Sequence, residues 1–377
     1  WNAEMRSDPN KGHFVFEEVS AGSGVENKGW AQSVGHLDFD GDGWEDLICG
    51  NDFGTNAWYR NRGNGTFQDV SSLIGTDKPS YTMNVGITDL NRDGLPDVYI
   101  SNIVTMDKDE KYVLPDPKTR MKFNPAKMAN MRVVEANDLW VSSRSASLPV
   151  SYEQSKNVGR GFRSTGWAWD ADFFDFDNDG DDDLYVVNGM NEYAVYSSVN
   201  PYLTDPKGNP SNGILPVAEK EVPVFFVNRD GMLQEETDKS GAAPAGNARS
   251  VAYLDSDADG DLDMIVNAFN GPAAFYRNET RGNHWLKLRL VGDPAKGVTR
   301  DAIGAKIIVD TKSQKGMWRE VFSTTGYLSV HPKEQHIGLG GDTKADVTIV
   351  WPDGTKEKLD GLKADRSYRM VQGKGIE

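Results

Sequence analysis

One spelling, D-x-[DN]-x-D-G-x-x-D followed by an apolar run, occurs four times and limits what the chain can fold into more than any other feature. The copies run Asp38–Leu47, Asp89–Val98, Asp175–Leu184 and Asp255–Met264. Carboxylates or a carboxamide stand at positions 1, 3, 5 and 9. These are Asp38, Asp40, Asp42 and Asp46; Asp89, Asn91, Asp93 and Asp97; Asp175, Asp177, Asp179 and Asp183; and Asp255, Asp257, Asp259 and Asp263. Position 6 is always Gly, which tolerates the positive φ of a sharp turn. Position 7 (Trp44, Leu95, Asp181, Asp261) offers a backbone carbonyl.

Such a loop converges hard oxygen ligands, and Ca²⁺ takes about six to eight of them at roughly 2.3–2.6 Å in a forgiving geometry. An EF-hand loop opens in the same way but needs Glu at position 12 and flanking helices. Here position 9 is Asp, and strand-like residues flank the loops, such as His36-Leu37, Phe173-Phe174 and Val251-Ala252-Tyr253-Leu254. The expectation is four Ca²⁺ loops, each inside a β-hairpin. Asp, Asn and Gly are also ordinary turn formers. A turn needs only one or two of them, however, and four converging carboxylates without a cation repel one another. The second loop, with Asn91, is expected to be the weakest, and weaker loops are open to another cation.

The net charge is −16. Fifteen carboxylates occupy ligand positions, and four Ca²⁺ would bring the charge to roughly −8. An acidic chain is a poor partner for phosphate, so nucleic acid is excluded as a partner. Cys49 is the only cysteine; it forms no intrachain disulfide and reads as a small buried strand residue. No run of about 20 apolar residues is present to span a membrane. Ca²⁺ sites of this kind fill most readily outside the cytosol, so a secreted or cell-surface location is expected. The chain opens on Trp1 rather than Met, and it is expected to be a processed or trimmed piece of something longer.

Around the first loop, strand-like runs end in the Asn-Gly turn Asn61-Arg62-Gly63-Asn64-Gly65-Thr66-Phe67. Asn228-Arg229-Asp230-Gly231 and Tyr276-Arg277-Asn278 echo it. The unit therefore reads strand, loop, strand, turn, strand, Asn-Gly turn, strand, the content of a propeller blade. Loop spacings are 51, 86 and 80 residues, against about 40–50 for a blade. Two insertions account for the excess, at about 104–137 and 190–222. The first carries a helix signal over 126–136 and the second reads as a long loop. Four clear units and part of a fifth are counted. Phe14–Val19 alternates like a strand. From Asn283 the Asp-rich repeat stops, and six or seven short alternating strands in about 90 residues indicate a β-sandwich. The fold class is all-β, with a calcium-binding β-propeller over 1–280 and a small sandwich over 281–377.

The loops resemble the FG-GAP/VCBS repeats of integrin α-chain propellers and bacterial surface proteins. The C-terminal part resembles an ASPIC/UnbV domain, and the combination is similar to the cartilage acidic protein-like family. The residues carrying this are Asn283-His284-Trp285-Leu286, Arg300-Asp301-Ala302-Ile303-Gly304-Ala305, Gly326-Tyr327-Leu328-Ser329, His336-Ile337-Gly338-Leu339-Gly340 and Trp351-Pro352-Asp353-Gly354. Trp167-Ala168-Trp169 ahead of the third loop is also typical. The resemblance implies a calcium-loaded propeller with a docked sandwich, secretion or surface display, and a role in adhesion or matrix.

Two functions of different class follow. The first is a non-enzymatic surface or matrix protein that binds a protein or glycan partner, with homo-oligomer or filament formation open to it. The alternative is a polysaccharide-acting enzyme or carbohydrate-binding module on the same scaffold. An enzyme needs two carboxylates, or a base with a cationic stabiliser, in one cleft. His13, His36, His284, His331 and His336 show no ligand or triad spacing, and G-x-S-x-G, H-E-x-x-H and a P-loop are absent. No catalytic residue is assigned.

Overall fold

Each loop joins the first two strands of an antiparallel meander. In the first unit these are β1 (Ala31–Leu37), β2 (Asp46–Asn51), β3 (Ala57–Asn61) and β4 (Phe67–Asp69), paired in that order. The second holds β5 (Thr82–Thr88), β6 (Asp97–Asn102), β7 (Asp138–Ser143) and β8 (Ser151–Gln154). The third holds β9 (Ala168–Phe174), β10 (Asp183–Asn188), β11 (Val224–Arg229) and β12 (Met232–Glu235). The fourth has three strands, β13 (Ala248–Leu254), β14 (Asp263–Ala268) and β15 (Ala274–Tyr276). This computed structural model describes residues 17–52, 54–103, 122–123, 137–145, 150–155, 165–189, 200–204, 210–211, 222–243, 247–269, 271–323 and 325–377.

The repeat extends to the backbone. Every first strand has its register shift at one place, seven to five residues before its loop: Ala31/Ser33, Thr82/Asn84, Ala168/Asp170 and Ala248/Ser250. A bulge there increases local twist. First strands lie side by side in chain order, β1 on β5, β5 on β9, β9 on β13. Three apolar cores fill the spaces between successive units, around Trp58, Tyr99 and Phe225. Among the described residues there is no fifth unit, and no closed barrel or ring is detected.

The alternation after Asn283 forms eight strands rather than six or seven. β16 (His284–Val291), β17 (Lys306–Asp310), β18 (Met317–Glu320), β19 (Gln335–Gly340), β20 (Lys344–Val350), β21 (Lys356–Lys363), β22 (Arg366–Val371) and β23 (Gly375–Ile376) make two four-stranded sheets. Their inward residues, among them Leu286, Leu288, Ile307, Val347, Ile349 and Trp351, form one core. β16 and β22 run parallel.

Some sequence expectations change. Glu17–Val19 is exposed and not a strand, and residues 14–16 lie outside the described residues, as does the 126–136 helix. The two insertions meet: Lys122–Phe123 pairs with Asn200–Thr204, which pairs with Pro210–Ser211. Cys49 is buried, as expected. Trp169 is half-buried, with Arg249 over its ring at 4.3 Å and its indole N–H on the Gly189 carbonyl at 2.5 Å, while Ala168 is the fully buried member of that motif. Asn278 donates its amide to the Phe176 and Leu262 carbonyls, which ties the fourth unit's hairpin to the third and fourth loops.

The sandwich meets the meanders at their loop end. Gly338 on β19 donates its N–H to Asp175 Oδ2 at 2.9 Å, and a Cβ there would run into Asp175 and the Asn178 backbone. Gly338→Ala is therefore expected to cost about 1–3 kcal/mol, as overpacking does. Urea unfolding measures it, and a change under about 0.5 kcal/mol would show that this contact does not hold the sandwich in place.

Candidate metal centres and the surface that covers them

The four loops share one hydrogen-bond plan. The position-6 Gly N–H donates to Oδ2 of the position-1 Asp: Gly43 to Asp38, Gly94 to Asp89 and Gly180 to Asp175 at 2.9 Å, Gly260 to Asp255 at 3.1 Å. These glycines have φ between +80° and +100°. Position 4 is left-handed too, at Gly41, Arg92, Asn178 and Ala258, a feature the spelling alone does not reveal.

Position 9 has a second task. Oδ2 of Asp46, Asp97, Asp183 and Asp263 accepts the N–H of position 2 in its own loop. Oδ1 accepts a backbone N–H from the third strand or, in unit 4, from two residues past it: Asn61 at 2.7 Å, Ser142 at 2.8 Å, Asn228 at 2.7 Å and Asn278 at 2.8 Å. Each such Asp pins its loop to the meander. The repeated Asn of the hairpin turns is thereby part of the loop's anchor.

Ligand-position groups run from buried to exposed across each loop. Asp38, Asp89 and Asp175 are buried and Asp255 half-buried; Asp46, Asp97, Asp183 and Asp263 are buried. Asp42, Asn91, Asp93, Asp257 and Asp259 are exposed, with Asp40, Asp177 and Asp179 intermediate. At position 7, Trp44 is exposed while Leu95, Asp181 and Asp261 are buried. One oxygen each from Asp38, Asp40 and Asp42 lies within 4.8 Å of the others; the same holds for Asp175, Asp177 and Asp183, and for Asp255, Asp257 and Asp259. Ligands on one Ca²⁺ stand at most about 5 Å apart, twice the metal–oxygen distance. The all-oxygen donor set and this spacing fit a hard divalent cation. Loop 2 has only Asp89, Asp93 and Asp97 with Asn91.

Burial, then neighbouring carboxylates, raise these groups. Asp46 is pushed up to about 8, Asp97 and Asp261 to about 7, and Asp89, Asp177 and Asp181 to about 6. Asp175 and Asp183 are also raised, chiefly by burial. A cation in the loop would reverse this, since it favours the ionised form.

The sandwich supplies cations of its own, unforeseen from sequence. Lys306 on β17 reaches Asp38 Oδ2 at 2.6 Å, and Lys287 on β16 pairs with Asp255. Arg319 on β18 meets Asp182 at 2.6 Å, and Gln314 donates to the Asp179 carbonyl at 2.7 Å. Within the meanders, Arg60 bridges Asp40 and Asp42, and Arg92 meets Asp181 at 2.5 Å.

The four described histidines each have a partner within the fold. Ser323 N–H donates to His36 Nε2 at 2.9 Å, which leaves the ring proton on Nδ1, 2.8 Å from Glu45. His331 pairs with Asp172 at 3.1 Å and stacks on Tyr253. His336 meets Asn178 at 2.6 Å, and burial pushes it down to about 3, so its N–H donates as a neutral ring. His284 sits on Asp365, and His13 lies outside the described residues. A cavity of about 630 Å³ runs between the first strands and the sandwich, lined by Asp172, Tyr253, Trp318, Arg319, Tyr327 and His331 among others. Asp172 Oδ2 and His331 Nε2 in its wall face each other at 3.1 Å without the alignment of a hydrogen bond.

Comparison with known proteins agrees with this layout. Residues 38–100 match the FG-GAP-like repeat, and residues 295–377 match the family described as ASPIC and UnbV. The chain is 25% identical over 353 residues to cartilage acidic protein 1 of Homo sapiens, covering 92% of this chain and 45% of that protein. Against cartilage acidic protein 1 of Mus musculus the figures are 26%, 92% and 46%, and against that of Xenopus tropicalis 23%, 93% and 46%. The chain spans less than half the length of these relatives. A crystal structure from Bacteroides uniformis, provisionally named a cell adhesion protein, matches at 12% identity over 44% of this chain and 84% of that one, with a TM-score of 0.17 that is too low to inform the fold.

In the metal-free protein, a carboxyl raised from 3.8 to about 8, such as Asp46, takes up a proton on folding at intermediate pH. Its stabilising contribution is full below about pH 4 and is lost as pH rises towards 8. With chelator, the melting temperature is therefore expected to fall between pH 5 and pH 8, and with millimolar Ca²⁺ to rise, because binding needs the deprotonated ligands. Parallel slopes in both conditions would mean that these carboxylates neither titrate nor take the metal.

Proposed function

For a chain that joins an FG-GAP-like repeat to an ASPIC and UnbV segment, and is related to cartilage acidic protein 1 along nearly its whole length, we propose a calcium-stabilised, non-enzymatic module of an extracellular or cell-surface protein, working in adhesion or matrix. The four meanders are read as propeller blades over 1–280, and 281–377 as a sandwich docked on their loop end. The observation that supports this most is the fourfold repetition of one loop plan at the same end of successive units. Such a plan makes sense as a set of cation sites that stiffen a surface.

Ca²⁺ is the resident ion in this reading. Positions 1, 3, 5 and 9 supply side-chain oxygens, and position 7 (Trp44, Leu95, Asp181, Asp261) a carbonyl. Loops 1 and 4 gather positions 1, 3 and 5 within ligand distance, and loop 3 gathers positions 1, 3 and 9, Asp175, Asp177 and Asp183. Loop 2 has the lowest charge. The partner is a protein or glycan of the cell surface or matrix. The named relatives carry a non-enzyme name, and the polysaccharide-acting alternative gains no support from the ion pairs described. No helix among the described residues is long and apolar enough to cross a membrane.

Titration calorimetry of chelator-stripped protein with Ca²⁺ tests the reading. Three or four sites are expected, with loop 2 the weakest. A site held at 100 times its dissociation constant adds about 2.7 kcal/mol of stability. Asp177→Asn is expected to remove or weaken one site at least about tenfold while the fold persists, because Asp177 accepts only a local N–H and is not a position-9 anchor. No heat and no shift in melting temperature at millimolar Ca²⁺ would end the calcium reading.

A further inference from the structure

The sandwich addresses one atom of the loops three times. Oδ2 of the position-1 Asp already accepts the position-6 Gly N–H. It also meets Lys306 Nζ in loop 1 at 2.6 Å, the Gly338 N–H in loop 3 at 2.9 Å and Lys287 Nζ in loop 4. The three donors come from three strands, β17, β19 and β16. In loop 3 the donor is a neutral amide, whereas in loops 1 and 4 it is an ammonium. Among the described residues no lysine or arginine pairs with position 1, 3, 5 or 9 of loop 3; Arg92 and Arg319 pair instead with Asp181 and Asp182.

The other oxygen is left to the loop. Asp38 Oδ1 and Asp175 Oδ1 accept the position-5 N–H, at 3.0 and 3.1 Å. Asp255 Oδ1 has no hydrogen-bond partner, although its side chain is 6% exposed. A buried carboxylate oxygen without a donor is costly unless a cation meets it. An ion held there at about 2.3–2.6 Å would stand roughly 5–6 Å from an ammonium on Oδ2. A divalent and a monovalent cation at that separation repel enough to lower affinity about tenfold even at the dielectric constant of water, and further in a half-buried loop.

We propose, on the calcium reading of the loops, that Lys306 and Lys287 set the affinity of loops 1 and 4 by opposing the cation from the second oxygen of its innermost ligand. Loop 3, held by an amide, fills before them. The effect is mutual: a cation in loop 1 or loop 4 weakens the lysine's hold on its Asp by the same factor. The sandwich thus sets the calcium concentration at which these two loops fill, and filling them loosens its lysine contacts.

Calorimetric titration of chelator-stripped protein with Ca²⁺ tests this. Lys306→Gln and Lys287→Gln are each expected to tighten one site about tenfold or more and to leave the others unchanged. Asp42→Asn added to the first, or Asp257→Asn added to the second, should abolish the gain, because each removes an exposed ligand from the loop concerned. Urea unfolding supplies the reciprocal readout: each lysine substitution should destabilise the protein more in chelator than in millimolar Ca²⁺, a difference that a merely structural lysine would not give. Circular dichroism matching wild type shows that a variant folds, and the two lysines are tested separately so that either can decide. Unchanged or weaker binding in the lysine variants, a gain that survives loss of the loop's own ligand, or equal destabilisation with and without Ca²⁺ would each overturn the proposal. Binding by the double lysine variant where wild type is silent would support it, whereas silence in both would end the calcium reading itself.

Discussion

Four groups of carboxylates are each gathered within a single loop, and the relief of that repulsion organises much of the molecule. Two unit charges about 4 Å apart repel by roughly 4 kcal/mol at the effective dielectric of a protein surface. Three local devices oppose this. Gly N–H groups point at position 1, one N–H from the loop itself and one from the third-strand side take the two oxygens of position 9, and arginines of the meanders sit on the outer carboxylates. The sandwich adds Lys306 and Lys287, aimed at the innermost Asp of the first and fourth loops. Its position follows from charge as well as from shape: its basic residues meet the most acidic end of the meanders. In the proposed calcium reading, a divalent cation would complete a neutralisation that the protein begins.

The same logic reaches past the loops to Asp170. This carboxylate on β9 is fully buried and raised, first by burial and then by Asp172. It accepts from Asn84 in unit 2 at 2.9 Å, Val251 N–H in unit 4 at 3.1 Å, Tyr327 N–H at 2.7 Å and Ser329 at 3.1 Å. One side chain thus ties three units to the segment that follows β18. Its neighbour Asp172 is held by His331. Removing a group with so many donors around it would strand several buried polar atoms together, which is why such networks hold only when fully satisfied.

Local periodicity made the meanders, the loops and the alternating C-terminal strands legible in the sequence. A Ca²⁺-type loop is written in nine consecutive residues, and a strand in five or six. The docking of the sandwich was not legible, because Lys306 lies 268 residues from Asp38 and looks like any strand lysine. Asp170 and Asp172 carried a signal that went unused: two acids in a strand with apolar neighbours ask for buried partners. The strand expected at Phe14–Val19 rested on alternation alone, and its described part, Glu17–Val19, finds no sheet to join. The position-4 conformation was hidden because Arg92 and Ala258 are not residues that announce a positive φ.

That left-handed position costs of order 1 kcal/mol for a residue with a Cβ, and its side chains show what the conformation gains. Arg92 of loop 2 reaches Asp181 of loop 3, and Asn178 of loop 3 reaches the Gly260 carbonyl of loop 4 at 3.1 Å. The turn throws position 4 forward onto the following unit. In loop 4 the position is Ala258, exposed and too short to reach further. The hairpin asparagines act in the reverse direction. Asn228 donates to Leu90 of the preceding loop at 3.2 Å, and Asn278 to Phe176 at 2.7 Å, whereas Asn61 of the first unit bonds Glu45 in its own loop. Forward and backward latches thus have a direction, and both join unit 2 to unit 3 and unit 3 to unit 4; between units 1 and 2 position 4 is Gly41, with no side chain to reach forward, and Ser142 stands where the later units carry the hairpin Asn.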